Sequence, residues 1–95
     1  MEREVVLTNL RTHKKEFIDK YGITRLGIFG SVARGQSTNA SDVDVIVEMP
    51  PDIFQMVHMK AELEELLDAP VDLIRFHKHL NAYLKSRIDD EAIYV

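Results

Sequence analysis

Two short apolar runs on either side of a polar, glycine-containing stretch constrain the fold of this 95-residue chain more than any other feature. The runs cover residues 23–29 and 43–47, and the turn-forming residues around them favour strands over helices. Side chains alternate between two faces along a strand, so the valines of the second run would share one face. Asp42 and Asp44 would then point together to the opposite face.

Asp42 and Asp44 place two carboxylates side by side at the beginning of the second predicted strand. Such a pair repels unless a cation lies between its members. A hard divalent cation with oxygen ligands, for which we predict Mg²⁺, would remove the repulsion. The alternative is that this Asp-x-Asp pair is a solvated strand end.

Gly30 and Ser31 lie between the two predicted strands. Gly30 lets the backbone approach a ligand closely and adopt torsion angles closed to other residues. We predict that Ser31 caps a short helix, so that backbone N–H groups and a hydroxyl converge where a phosphate would bind. A phosphate site beside a paired-aspartate metal site suits nucleotide phosphoryl chemistry.

The composition limits the class of protein. With 45% hydrophobic and 29% charged residues, we expect one soluble globular domain over residues 1–95. No membrane span or signal peptide is predicted, and the lack of cysteine excludes disulfides, so a cytoplasmic chain is expected. A net charge of -4 argues against nucleic-acid binding, which would need a basic surface.

Helices and strands alternate along the sequence. Helices are predicted over about 4–20, 31–34, 52–67 and 80–91, and strands over 23–29, 42–48 and 71–76. Gly22 is expected to end the first helix and Asp52 to cap the third. Residues 35–41 are predicted to form a mobile loop near the phosphate and metal site. We therefore expect an α/β domain with helices packed on a small mixed sheet of three to four strands.

Three features leave alternatives open. The helix over 52–67 carries Phe54, Val57 and Ala61 beyond the apolar stripe that one face needs, and we favour a deeply buried helix over a face that meets a partner chain. The apolar end at 93–95 could pack on the core or against a partner. His77 and His79 lack a third ligand in view, so we interpret them as loop residues rather than a zinc site.

Asp72 interrupts the third apolar strand and would join Asp42 and Asp44 if that strand lies beside the second. Otherwise it is a surface residue on an edge strand. Gly30-Ser31, ten further residues and Asp42-Val43-Asp44, together with Asp72, resemble the signature of the DNA polymerase β-type nucleotidyltransferases. The fuller G-S-x-A-R-G and S-D-x-D pattern and the R-I-x-x-E-A-x-Y-V ending resemble the minimal nucleotidyltransferase (MNT) family.

The resemblance implies a role for each matching residue. Nucleoside triphosphate would be held by Gly30 and Ser31, and metal ions by Asp42 and Asp44, with Asp72 completing the triad. Arg34 would add a phosphate contact, or would merely pair with a nearby acid. In a two-metal site of this kind, Asp72 is the candidate general base.

The resemblance also implies a function. Many MNT proteins are antitoxins that use ATP to adenylylate a tyrosine of a HEPN-domain ribonuclease toxin. The short chain implies that another polypeptide completes the acceptor site, in a hetero-complex or a homo-oligomer. The alternatives are a non-catalytic antitoxin that inhibits its partner by occlusion, and a transferase acting on a small molecule or an RNA end.

Overall fold

The computed structural model describes residues 2–38 and 41–95, and within them four helices and four strands alternate. Part of the predicted 35–41 loop lies outside the described residues. The elements are α1 (Arg3–Tyr21), β1 (Arg25–Phe29), α2 (Gly30–Ala33), β2 (Val43–Glu48), α3 (Ile53–Leu67), β3 (Val71–Arg75), α4 (Ala82–Glu91) and β4 (Ile93–Tyr94). No helix within this part of the chain is both long and apolar enough to cross a bilayer.

The strands form one mixed sheet in the order β3-β2-β1-β4. β1 runs antiparallel to β2 and to β4, whereas β2 and β3 are parallel and are joined by α3. The predicted α/β architecture is therefore confirmed. The apolar end at 93–95 packs on the rest of the chain, which was the first of its two alternatives. Ile93 pairs with Ile28, and β4 forms an edge strand of the sheet.

One face of the sheet carries the larger part of the core. Leu26 and Ile28 of β1 and the three valines of β2 are all fully buried there. They pack against the buried stripes of α1 and α3 in one cluster. On the opposite face a smaller cluster of Phe29, Ile46 and Ile88 forms beneath α4. The alternation expected along β2 is thus confirmed.

The helix ends follow local chemistry. Gly22 adopts a left-handed conformation with φ of 67°, and its N–H donates to the carbonyl of Ile18. The Asp52 carboxylate accepts hydrogen bonds from two backbone N–H groups at the start of α3. Both predicted caps are confirmed. Asn81 caps α4 in the same way, and α4 therefore begins at Ala82 rather than at the expected position 80.

The expectation that α3 is deeply buried is wrong. Met59, Leu63 and Leu67 face the core, but Ile53 is 70% exposed, Phe54 81% and Val57 61%. A helix that packs on one side of a sheet buries a single stripe at helical spacing, and these three side chains lie outside that stripe. The alternative, an apolar face available to a partner chain, is the one that the exposure favours.

Candidate active site

The glycine turn lies directly against one of the predicted catalytic aspartates. β1 ends at Phe29, which pairs with Asp44 of β2, and α2 begins at Gly30. Gly30 has φ of 73°, and a Cβ atom built on it would overlap the Asp44 carboxylate, 3.0 Å from Cγ. Only glycine satisfies both the backbone conformation and the contact. The immediate neighbour of Gly30 is thus the Asp44 carboxylate. The close approach of Gly30 to a ligand stays a prediction.

Ser31 does not cap α2. The N-cap residue is Phe29, whose side chain makes no capping hydrogen bond, and Ser31 is the second helical residue. The reason is the left-handed turn at Gly30, which enters the helix one residue earlier than the sequence indicates. The capping prediction is therefore wrong. The contact between the Ser31 hydroxyl and a phosphate now rests on the family resemblance and not on a helix cap.

The parallel pairing of β2 with β3 brings two of the three aspartates together. Asp44 and Asp72 are register partners, as the juxtaposition of their strands predicted. Asp42 precedes the first residue of β2 and is exposed, so it lies just outside the strand that was expected to contain it. Within residues 2–38 and 41–95, no three acidic or histidine side chains form a ready metal-ligand geometry.

The surroundings of Asp44 disfavour its charged form. Burial and the neighbouring carboxylate of Asp72 raise the pKa of Asp44, and Asp42 adds to the effect. The guanidinium groups of Arg87 and Arg34 oppose it only in part. A half-buried carboxylate beside two others carries uncompensated negative charge, which is the condition that a bound divalent cation would relieve.

Sequence reasoning missed Glu91, the last residue of α4. Its Oε2 accepts a hydrogen bond of 3.0 Å from the Gly30 N–H, and its Oε1 lies 2.8 Å from Arg34 Nη1. Arg87, one helical turn earlier, places Nη2 3.5 Å from Oε2. Although burial raises the pKa of Glu91, the bonds from Gly30 and Arg34 hold it below its ordinary value.

Arg34 is thus paired with an acid, which was the alternative to a phosphate contact. Its Nε also donates to the Gln36 side chain over 3.1 Å. The i, i+4 spacing of Arg87 and Glu91 was visible in the sequence as the R-I-x-x-E pattern. No local pattern indicated that Glu91 reaches the glycine turn.

The histidines that suggested a zinc site stay apart from these residues. His77 and His79 lie in the turn after β3, where the His77 ring accepts a hydrogen bond from the His79 N–H. Their ring centroids are 6.5 Å apart. The interpretation of both as loop residues is confirmed.

Comparison with known proteins places the chain in a family. Residues 10–95 match the family described as Nucleotidyltransferase domain. Protein adenylyltransferase MntA of Thermococcus cleftensis is 32% identical over 94 residues, which cover 97% of this chain and 94% of MntA. A solved structure provisionally named a minimal nucleotidyltransferase gives a TM-score of 0.79 at 30% identity, covering 98% of this chain and 95% of that one.

A more distant match shares the fold alone. It is the complex of an MNT antitoxin with the tri-AMPylated HEPN toxin of Shewanella oneidensis, with a TM-score of 0.69 at 17% identity. The match covers 97% of this chain and 70% of the other. This chain therefore belongs to the nucleotidyltransferase domain family, as the family match and the MntA relative show. It resembles the minimal members of that family in fold.

Proposed function

We propose that this chain transfers AMP from ATP to a tyrosine hydroxyl of a HEPN ribonuclease toxin and thereby acts as an antitoxin in the cytoplasm. The observation that carries the proposal is the contact of the Gly30 turn with Asp44, a half-buried carboxylate in register with Asp72. Similarity to MntA, a protein adenylyltransferase, supports AMP as the transferred group and a protein as the acceptor.

The donor set suits a hard divalent cation. The raised pKa of Asp44 reflects burial and repulsion from neighbouring carboxylates, and these side chains offer oxygen ligands only. Held by Asp42, Asp44 and Asp72, two Mg²⁺ ions would neutralise the triphosphate and lower the pKa of the attacking hydroxyl. The ligand type therefore suits the metal that the family resemblance implies, although the three side chains, which lie in the described part of the chain, are not gathered into a ready metal-ligand geometry.

The transfer makes one bond and breaks one. The tyrosine oxygen bonds to the α-phosphorus of ATP, the bond from that phosphorus to the pyrophosphate oxygen breaks, and Asp72 accepts the hydroxyl proton. Gly30 contributes close backbone approach but not its N–H, because that N–H already donates to Glu91. Ser31 contributes its hydroxyl to the departing pyrophosphate. Arg34 has further N–H donors for a phosphate beyond those that Glu91 and Gln36 occupy.

The acceptor would come from the partner chain. The exposed apolar side chains at the beginning of α3 support a protein partner, since Ile53, Phe54 and Val57 are each more than half exposed. A second candidate, inhibition of the toxin by occlusion alone, would use the same surface and would not need the aspartates.

The test is mass spectrometry of the partner HEPN protein after incubation with this chain, ATP and Mg²⁺. We expect a mass gain of one or more AMP units, and none with the Asp42→Ala, Asp44→Ala double variant. A matched control is Glu16→Ala with Asp19→Ala, which removes two exposed carboxylates from α1.

Two results separate the candidate functions. Transfer by the control but not by the aspartate variant would support the adenylyltransferase. A stable complex that forms equally with the parent chain and the aspartate variant, without any mass gain, would rule out transfer for this pair and leave occlusion.

A further inference from the structure

We propose that Glu91 is a positioning residue of the nucleotide site, which acts by holding Arg34 and the Gly30 turn in the orientation that binds the triphosphate. This inference rests on the proposed function, because it assigns to Arg34 and Gly30 the nucleotide contacts of that reaction. The role differs from that of the aspartates, since Glu91 makes its contacts to protein donors and not to the reacting atoms.

Three donors from two separate parts of the chain converge on this one carboxylate. They are the backbone N–H of Gly30, the guanidinium of Arg34 at the end of α2, and that of Arg87 in α4. The Glu91 side chain is only 19% exposed, compared with 39% for Arg34. Charge-assisted hydrogen bonds to a largely buried carboxylate are stronger than exposed ion pairs.

The hydrogen bond to Gly30 fixes the turn that contacts Asp44. A glycine at φ of 73° has wide conformational freedom, and a partner for its N–H removes part of that freedom. The accepting carboxylate comes from the last residue of α4, which packs on the sheet through Ile88. The turn is thus anchored from the same side of the sheet on which Asp44 lies.

The pairing with Arg34 has a second consequence. A free arginine side chain samples many rotamers, whereas Glu91 holds this guanidinium close enough to Asp44 to lower the pKa of that carboxyl. Arg87 acts on Asp44 in the same direction and lies over the ring of Phe29, 5.9 Å from its centroid. Glu91 therefore keeps two cationic groups beside the proposed phosphate site, although it is itself an anion.

A competing explanation is that Glu91 only ties α4 to the rest of the fold. The two explanations differ in how the effect of a Glu91 substitution depends on Arg34. For a substitution that keeps an acceptor for the Gly30 N–H, a positioning role requires that most of the effect on nucleotide affinity disappears when Arg34 is absent, because that part of the effect acts through the Arg34 side chain. A purely structural role requires that the two effects add.

The experiment is a double-mutant cycle with Glu91→Gln and Arg34→Ala. Glutamine keeps the size of the side chain and an acceptor for the Gly30 N–H, but it removes the charge that holds the guanidinium groups. Titration calorimetry in the presence of Mg²⁺ gives the Kd of a non-hydrolysable ATP analogue for each variant. We also measure the KM and kcat for ATP, and Tm. Nucleotide binding needs no acceptor, so this readout does not depend on the toxin.

We expect Glu91→Gln to raise Kd and KM about ten-fold, the scale of one charge-assisted hydrogen bond, with a smaller change in kcat. In the Arg34→Ala background the same substitution should change Kd less than about two-fold. The matched control is Glu62→Gln, because the Glu62 carboxylate likewise joins Lys20 and Tyr21, on the far face of the sheet. It should leave both constants unchanged.

Independent, additive losses in the double variant would overturn the proposal, and so would tighter nucleotide binding by Glu91→Gln, which would make Glu91 a competitor of the phosphate. If the parent chain binds the nucleotide but transfers nothing, the proposed function fails while the binding cycle still decides the role of Glu91. If the parent chain binds no nucleotide, both are overturned.

Discussion

The two faces of the sheet differ in what their side chains are organised to do. Beneath α1 and α3, fully buried aliphatic side chains such as Leu10, Leu26 and Leu63 fill the space. Beneath α4, the apolar cluster of Phe29, Ile46 and Ile88 is small and gives way to charged groups at one end. The same strands build both faces, because successive residues of a strand point in opposite directions.

Stability and chemistry are thus divided between alternate residues of a single strand. Val43 and Val45 of β2 are fully buried, while Asp44 between them is half-buried and has a raised pKa. A carboxylate that is partly desolvated beside other carboxylates opposes folding. The valines on either side of it offset that cost by apolar burial.

The largest difference between the two faces of the sheet is expected in how substitutions change the rate of adenylyl transfer. Asp44→Asn keeps the shape of the side chain but removes the charge that would hold a metal ion. We predict a loss of adenylyl transfer of roughly 10³-fold, the scale found when transition-state electrostatic stabilisation is removed. The rate of pyrophosphate release in the presence of the partner protein measures it. Transfer at more than about a tenth of the parent rate would contradict the assigned role.

Leu63→Ala, on the other face, should lower stability and leave nucleotide binding unchanged. Leu63 is fully buried between α3 and the sheet, so truncation leaves a cavity in the larger core. We expect the free energy of unfolding to fall by about 2–5 kcal/mol, measured by urea denaturation. Below the unfolding transition the KM for ATP should be unchanged. A raised KM in the folded variant would show that the two faces are coupled.

The sequence predicted the part of this division that is local or periodic. The meeting of Asp72 with Asp44 was predicted only on the condition that β3 lies beside β2, and the structure meets that condition. The alternation along β2 and the helix ends at Gly22 and Asp52 follow from patterns of a few residues. Each depends on the period of a strand or on the chemistry of a helix end. These features are therefore readable without coordinates.

The parts that could not be predicted depend on contacts between distant residues. Glu91 meets Gly30 across 61 positions of sequence, and only the packing of α4 on the sheet brings them together. The exposure of Phe54 likewise depends on how much of α3 the sheet can cover. Apolar periodicity indicates that a helix has a buried face, but not how wide that face is.

Gly30→Ala tests the junction between the faces. An added methyl group would meet the Asp44 carboxylate, and φ of 73° is strained for alanine. We expect a loss of about 1–3 kcal/mol in the free energy of unfolding. The matched control is Gly35→Ala, which has a similar φ of 72° but no atom within 4 Å of its added Cβ. The difference between the two variants isolates the contact with Asp44 from the backbone strain that they share.

The smallest expected effect concerns stability without metal. Because the pKa of Asp44 is raised in the folded state, its ionisation opposes folding at neutral pH. Asp44→Asn should therefore raise the free energy of unfolding at pH 7 by about 0.5–1 kcal/mol when divalent cations are chelated. The advantage should shrink as pH falls through the folded pKa of Asp44 and vanish below the ordinary value of 3.8, where the carboxyl is protonated in both states.

Urea denaturation of the two chains between pH 3 and pH 8 measures this difference, with Asp19→Asn on the exposed surface of α1 as the control. Adding Mg²⁺ should stabilise the parent chain but not the Asp44 variant, because an ion that binds only the folded state shifts the equilibrium toward it. A variant less stable than the parent chain at pH 7 in chelator would mean that Asp44 supports the fold. The division between a stabilising face and a reactive face would then not hold at this residue.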